Sequence, residues 1–313
     1  MPESRTELSR GTENALVIGL GQACVDYLGR VPSFPEEDGK IELLDLQRRC
    51  GGPASTALVT LSRLGIPCAF LGSVGDDPLG EEIVRRLNEE GVDSTHLRVR
   101  HGCSSQFAFI AVSRHKGKRT VFWQRGSAPH LKKEEIDLSV FSGARFLHLD
   151  GLMMEASLEA VRQAKGMGQT VVLDAGTMRE GSLELASRVD ILIASAGFAD
   201  PLVGRGTGPE KALAALCGLG PKTVVLTLGE EGSVGWNGED VVFQKALPVQ
   251  AVDTTGAGDV YHGAYIYGLT REWPMPACMR FASAVAALKC RKMGAREGIP
   301  TLNEVQAFLN SLS

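Results

Sequence analysis

The octapeptide Val252-Asp253-Thr254-Thr255-Gly256-Ala257-Gly258-Asp259 holds the densest chemistry in this sequence. Gly256 and Gly258 flank one small residue, so the backbone there can approach a ligand closely. The apolar, Ala- and Tyr-rich stretch beyond, to about Leu269, reads as a helix. A glycine-rich turn entering a helix leaves amide N–H groups unpaired at the positive end of the helix dipole, which suits an anion such as a phosphate. Asp259 is anomalous there, because a carboxylate repels a bound phosphate. It makes sense if it takes the proton of a hydroxyl that attacks the phosphoryl group. Taken alone, it reads as an acid that merely stabilises the helix start. His262, three residues further on, reads as packed or solvated.

Something must position that turn. Apolar runs of strand length at residues 15–21, 67–73, 145–149, 170–174, 190–194 and 222–228 alternate with amphipathic helical patterns at 53–64, 79–90, 155–167 and 209–217. Such a βαβ rhythm predicts a three-layer αβα fold with a mostly parallel central sheet. Residues 40–48 and 106–123 are strand-like without attached helices, the second as two runs around His115-Lys116-Gly117-Lys118. They predict a small β-sheet lid over the carboxyl edge of the main sheet, where open α/β folds bind ligands. The lid insertions fall at about 26–50 and 100–126 within a domain spanning 15–313. Residues 1–14 read as a polar leader, and Lys116, Lys118 and Arg119 as a solvated hairpin tip.

Composition narrows the function class. The 313 residues are 43% hydrophobic and 22% charged, ordinary for a globular chain. A net charge of -4 gives no electrostatic footprint for nucleic acid or an anionic membrane, and no apolar run has spanning length. The cysteines at 24, 50, 68, 103, 217, 278 and 290 form no Cys-x-x-Cys pair, and the six histidines show no metal-ligand spacing. Reduced thiols in a cytoplasmic protein are expected. Gly19-Leu20-Gly21 opens like a dinucleotide fingerprint, but Cys24 stands where the third glycine belongs, so a tight strand-to-loop turn is expected. Asp150 and Asp174 end strands, Asp26 reads as a loop residue, and Arg179 is placed to reach phosphates or solvent.

Asp253-Thr254-Thr255-Gly256-Ala257-Gly258-Asp259 resembles the C-terminal signature of the ribokinase-like (PfkB) carbohydrate kinase family. Gly51-Gly52-Pro53-Ala54-Ser55-Thr56-Ala57, Gly72-Ser73-Val74-Gly75-Asp76-Asp77-Pro78-Leu79-Gly80 and Thr227-Leu228-Gly229-Glu230-Glu231-Gly232 are similar to its other motifs, in family order. The resemblance implies an ATP-dependent phosphotransferase acting on an alcohol group of a small sugar, with Asp259 as base. The backbone of Gly256, Ala257 and Gly258 would form the anion hole. Asp26, Gly51, Gly52, Thr56 and Asp150 would hold substrate, and Thr227, Gly229, Gly232, Ser283 and Arg179 would lie along ATP. Mg²⁺ would arrive with ATP. Asp253, Thr255, Gly294 and Gly298 would frame a site for a monovalent cation such as K⁺, and the lid would pack against a second lid in a homodimer.

Two departures stand out. Thr56 occupies a position where many members carry Asn. Ser195-Ala196-Gly197-Phe198 replaces an Asn-x-x-Glu that helps place the metal. Ketohexokinase-like and sulfofructose-kinase-like branches also lack that motif, and the run from Arg280 to Cys290 is similar to the latter branch. The sequence shows no Arg near Asp150-Gly151 to take a sulfonate. A nucleoside kinase, which would want aromatic residues and finds only Tyr27 and Phe34 near Asp26, a phosphosugar or sulfosugar kinase, and a catalytically silent sugar-sensing module stay open.

Overall fold

The computed structural model describes residues 15–114 and 119–312. The chain begins β1 (Val17–Leu20), β2 (Cys24–Val31), β3 (Asp45–Gly51), α1 (Pro53–Arg63), β4 (Cys68–Leu71), β5 (Ser73–Gly75), α2 (Pro78–Glu89) and β6 (Val92–Asp93). It continues β7 (Arg98–Arg100), β8 (Phe107–Ser113), β9 (Arg119–Gln124), β10 (Phe146–Leu149), α3 (Met154–Gly166), β11 (Thr170–Ala175), α4 (Ser182–Ala186) and β12 (Ile191–Ser195). It ends α5 (Ala196–Val203), α6 (Pro209–Cys217), β13 (Thr223–Thr227), β14 (Ser233–Trp236), β15 (Val241–Gln244), α7 (Ala257–Thr270), α8 (Met275–Lys289) and α9 (Leu302–Ser311).

The main sheet runs β15-β14-β13-β12-β11-β10-β1-β4-β6, parallel from β13 to β6 and antiparallel at the β13-β14-β15 edge. Successive residues of a strand point to opposite faces. Val17, Phe70 and Phe146 accordingly join a core with Leu58 of α1, Tyr265 of α7 and Phe281 of α8. Ile18, Leu71 and Leu147 join a second core with Ala160 of α3, Phe198 of α5 and Leu216 of α6. Two cores, one on each face, are what a three-layer αβα fold requires. Local signals set the helix starts: Pro53 opens α1, and the Asp77 carboxylate accepts from the Gly80 N–H at 2.9 Å ahead of α2.

A second sheet, β3-β2-β8-β9, stands apart from the first. The expected strand at 40–48 lies later, at β3, and the run at 67–73 divides between β4 and β5, which pairs with β7. The leader at 1–14 and the hairpin tip at 115–118 lie outside the described residues. Asp26 is not in a loop. It sits in β2, a strand hidden from pattern reading because Asp26 and Gly29 interrupt its apolar residues. The β14-β15 hairpin also went unread; Gly235 and the exposed Val241 and Phe243 blur its period.

Candidate active site

The carboxyl ends of β1, β10, β11, β12 and β13 border one cleft of about 490 Å³, lined among others by Gln22, Asp150, Asp174, Ser195 and Thr227. The turn Thr254–Asp259 closes one wall. Asp26, Ala108 and Trp123 lie side by side across β2, β8 and β9, and that face of the small sheet covers the cleft with Ile110, Arg119 and Val121.

Gly256, at φ 72°, caps α7 with left-handed backbone, and a Cβ there would meet Ala295 at 2.9 Å, so only glycine fits. The Ala257 N–H is taken by the Thr254 carbonyl at 3.2 Å, a departure from the expectation that all three amides face a ligand. The N–H groups of Gly258 and Asp259 have no acceptor among the described residues, nor does the Asp259 carboxylate have a donor. Behind the turn, the buried His262 ring contacts the Gly258 carbonyl through Nδ1 at 2.6 Å. Its Nε2 lies 3.3 Å from the Ile193 carbonyl and 3.5 Å from Asp174 Oδ1. His262 thus braces the turn from below.

Four carboxylates share this space. Burial pushes Asp26 up to about 6, opposed by the Cys24 thiol, which donates to its Oδ1 at 3.2 Å, and by Arg296. Burial also raises Asp150 to about 6, although it accepts N–H bonds from Gln22 at 2.6 Å, Leu152 at 3.0 Å and Ala54 at 3.5 Å. Asp174 rises to about 7, mainly through burial, against the pull of His262. Asp259 is raised for the same reason and is held back by His262, Arg119 and Lys289. Clustered, raised carboxylates in a cleft are an arrangement suited to proton transfer and hydroxyl binding.

The family model described as pfkB family carbohydrate kinase matches residues 14–302. The chain belongs to the pfkB carbohydrate kinase family. A ribokinase from Haemophilus influenzae is 30% identical over 301 residues, covering 93% of this chain and 97% of that protein. A 5-dehydro-2-deoxygluconokinase from Shouchella clausii is 28% identical over 313 residues, covering 94% and 95%. The solved structure of Arabidopsis thaliana ribokinase complexed with ribose and ATP superposes with a TM-score of 0.82 at 25% identity, covering 94% of this chain and 98% of that one. The protein is a carbohydrate kinase with the ribokinase-like fold, and ATP use goes with that membership.

Within this kinase, Asp26, Gly52, Asp150, Arg179, Thr227 and Thr255–Asp259 meet in the cleft. Gly51, Thr56, Gly229, Gly232 and Ser283 do not line it. Thr56 is fully buried in α1, with its hydroxyl 3.3 Å from Arg296 Nε. Gly51 packs its Cα against the Asp26 carboxylate. Gly232, at φ 108°, makes the tight turn from β13 to β14, and Ser283 is buried in α8. Ser195 Oγ donates to the Gly176 carbonyl at 2.7 Å and accepts from the Phe198 N–H at 3.2 Å, so that strand end offers an engaged hydroxyl in place of a carboxylate.

Asp253, Thr255 and Gly294 do come together, with Gly298 against the backbone of Lys289, and the oxygens of Asp253 are already occupied. Asp253 Oδ1 accepts from Thr255 N at 2.9 Å and Oγ1 at 2.7 Å, and Oδ2 accepts from Gly294 N at 2.8 Å. The Asp253 carbonyl accepts from Lys289 Nζ at 2.9 Å. Despite burial, Lys289 and these donors hold the Asp253 carboxyl below its usual value. The Asp253 oxygens leave no open place for a free monovalent cation, because a buried ammonium already sits on the carbonyl and brings one positive charge there.

Sequence reasoning missed several groups. Arg296 is buried and donates to the Gly51 carbonyl at 2.9 Å and Ser55 Oγ at 2.8 Å, joining the C-terminal turn to the Gly51-Gly52 loop. Arg119 and Arg125 line the cleft together with Asp150 and Gly151, against the expectations that Arg119 lies in a solvated hairpin tip and that no Arg lies near Asp150-Gly151. Arg119 Nη1 also reaches Thr254 Oγ1 at 3.1 Å across the mouth.

Proposed function

We propose that the enzyme transfers the γ-phosphoryl of ATP to an alcohol group of a small sugar or sugar derivative, with Asp259 as the general base. The observation that carries this reading is the unpaired Asp259 carboxylate beside the free Gly258 amide at the start of α7, facing the same cleft as Asp26 and Asp150. Asp26 and Asp150, with the Gly51-Gly52 backbone around them, accept sugar hydroxyls, while Thr227 and Arg179 border the nucleotide. The substrate hydroxyl then meets the phosphoryl group at the turn. Asp259 removes its proton as the oxygen–phosphorus bond forms, and the Gly256 and Gly258 amides receive charge developing on the phosphoryl oxygens. Magnesium travels with the nucleotide phosphates and supplies charge neutralisation there.

The small sheet acts as a lid, since its inner face, with Asp26, Ile110 and Trp123, closes the cleft on the side opposite the turn. Its outer face leaves Leu46 55% and Phe122 62% exposed, which suits lid-to-lid packing in a homodimer. Arg119 and Arg125 on the cleft favour a second reading, in which the sugar carries an acidic group paired by guanidinium. A coupled ADP-release screen over neutral ketoses and aldoses, sugar acids, phosphorylated and sulfonated sugars and nucleosides separates these readings. Turnover of a sugar by the native enzyme, abolished in Asp259→Asn, is expected. A nucleoside as the preferred acceptor, or no turnover beyond the ATPase background, would sink the sugar-kinase proposal.

A further inference from the structure

Lys289 lies in the last turn of α8 and is fully buried, with relative exposure of 0%. A lysine loses its hydration there, and buried ammonium groups persist where they do something other than support the core. Its Nζ donates to the Asp253 carbonyl at 2.9 Å, three residues before the glycine that caps α7. The same backbone is fixed twice more, by N–H bonds from Val252 and Asp253 to the Cys290 carbonyl at 2.8 and 3.1 Å. Gly298 presses so closely on the Lys289 carbonyl that a Cβ would collide with it. Of the four residues that resemblance assigns to a free cation, Asp253 thus takes the lysine ammonium on its carbonyl, and Gly298 packs against the backbone of the same lysine.

Each carboxylate oxygen of Asp253 already faces a donor hydrogen, and the carbonyl faces the ammonium. A metal ion would have to displace those donors and approach a resident positive charge. The phosphoryl-binding turn nevertheless needs a fixed backbone and a nearby cation, because its amides must be aimed before charge develops. Lys289 meets both needs from within the chain.

We propose that Lys289 is a tethered internal cation that positions the Asp253–Asp259 turn, so that this kinase works without a free monovalent cation. Lys289 is a positioning residue here, since it acts through the Asp253 carbonyl and touches neither sugar nor ATP. The inference rests on the phosphoryl-transfer reading of that turn.

The native enzyme provides the first test. Turnover of ATP with an accepted sugar is measured in potassium chloride and in tetramethylammonium chloride at equal ionic strength. Rates within about twofold are expected, and activation by K⁺ of more than about fivefold overturns the proposal. Thermal unfolding in the same two salts needs no turnover, so it decides even if the substrate assignment fails. An equal midpoint supports a filled site, and a rise specific to K⁺ overturns it. In Lys289→Met the stem is kept and the charge removed. Its kcat in tetramethylammonium should fall about tenfold or more with little change in sugar KM, and ammonium or K⁺ should restore part of it. A Lys289→Met enzyme with native kcat in the absence of other cations would overturn the proposal. If that variant does not fold, the two native measurements stand alone.

Discussion

The turn at residues 253–259 and the four-stranded sheet face each other across one cleft, and they are built by opposite means. The turn leads into α7, which packs against α1 and α8, and their side chains Leu58, Val260, Tyr265 and Phe281 belong to the largest buried core. The backbone of the turn is held by Lys289, Cys290 and His262, and the Asp253 carboxylate by Gly294. The sheet owns a core of only Leu28, Ala108, Ile110 and Val112, and every residue of β9 is exposed. Buried packing is concentrated around the turn, and the sheet has few buried residues of its own. Elements with few buried contacts are the ones that open at low cost.

That contrast can be broken by mutation. Leu58→Ala removes a fully buried α1 side chain packed against Gly19 of β1, in the core that α7 shares, and should destabilise the protein by about 2–5 kcal/mol in denaturant melts, whereas Phe122→Ala on the sheet should change it by about 0.5 kcal/mol or less. Equal losses at both positions would show that the sheet is as firmly integrated as the turn. The chemical end is tested by Asp259→Asn, expected to retain ATP binding while kcat falls at least about 10²-fold. Most of the activity surviving would remove Asp259 from the base role.

On the sheet side, Asp26→Ala should raise sugar KM by more than about tenfold and leave ATP KM nearly unchanged, because charge-assisted bonds to hydroxyls are lost. Improved affinity for an anionic sugar in that variant, without harm to a neutral one, would reverse the proposed orientation of substrate. A Phe122→Asp or Leu46→Asp change should convert a lid-packed dimer to monomers in light scattering, whereas a native enzyme that is monomeric at micromolar concentration and fully active would exclude that assembly.

The smallest effect concerns pH. The Asp26 and Asp150 carboxyls rise to about 6 and Asp174 to about 7 in the folded protein, above their values in an unfolded chain. Between those limits the folded state binds the more protons, so this contribution to stability is present in acid and lost as pH rises through 6–7. Activity should rise over the same window, as the acids become able to accept hydroxyl protons and hydrogen bonds. Asp26→Asn should unfold at a midpoint roughly 2 °C or more above the native enzyme at pH 8, with the gap closing toward pH 5. A gap independent of pH would show that Asp26 is not strained by its charge.

The parts legible in the sequence were those whose signal is local. The octapeptide at 252–259 carries its own glycines, acid and helix, and the parallel strands announce themselves as unbroken apolar runs. β2 was hidden because Asp26 sets a carboxylate among its apolar residues. Lys289 and Arg296 were hidden for a different reason: each looks like an ordinary surface charge near a helix end, and the carbonyls they hold lie 36 and 245 residues away in the chain. Burial of a charge becomes visible only when the fold supplies its partner. Thr56 fails in the opposite sense, since a residue in the right motif position points its hydroxyl to Arg296 instead of the cleft.

Arg296 also orders events in time. The Gly51-Gly52 loop leaves the ribosome well before Arg296, since the guanidinium that holds the Gly51 carbonyl is made some 245 residues later. At a synthesis rate of about 5–20 residues per second, that interval is on the order of ten seconds to a minute. During it the earlier strands can already pair, while the Gly51-Gly52 loop stays unset. The turn between α8 and α9 thus serves as a latch, and a nascent chain with its sheet formed has no fixed Gly51-Gly52 loop until that turn has docked.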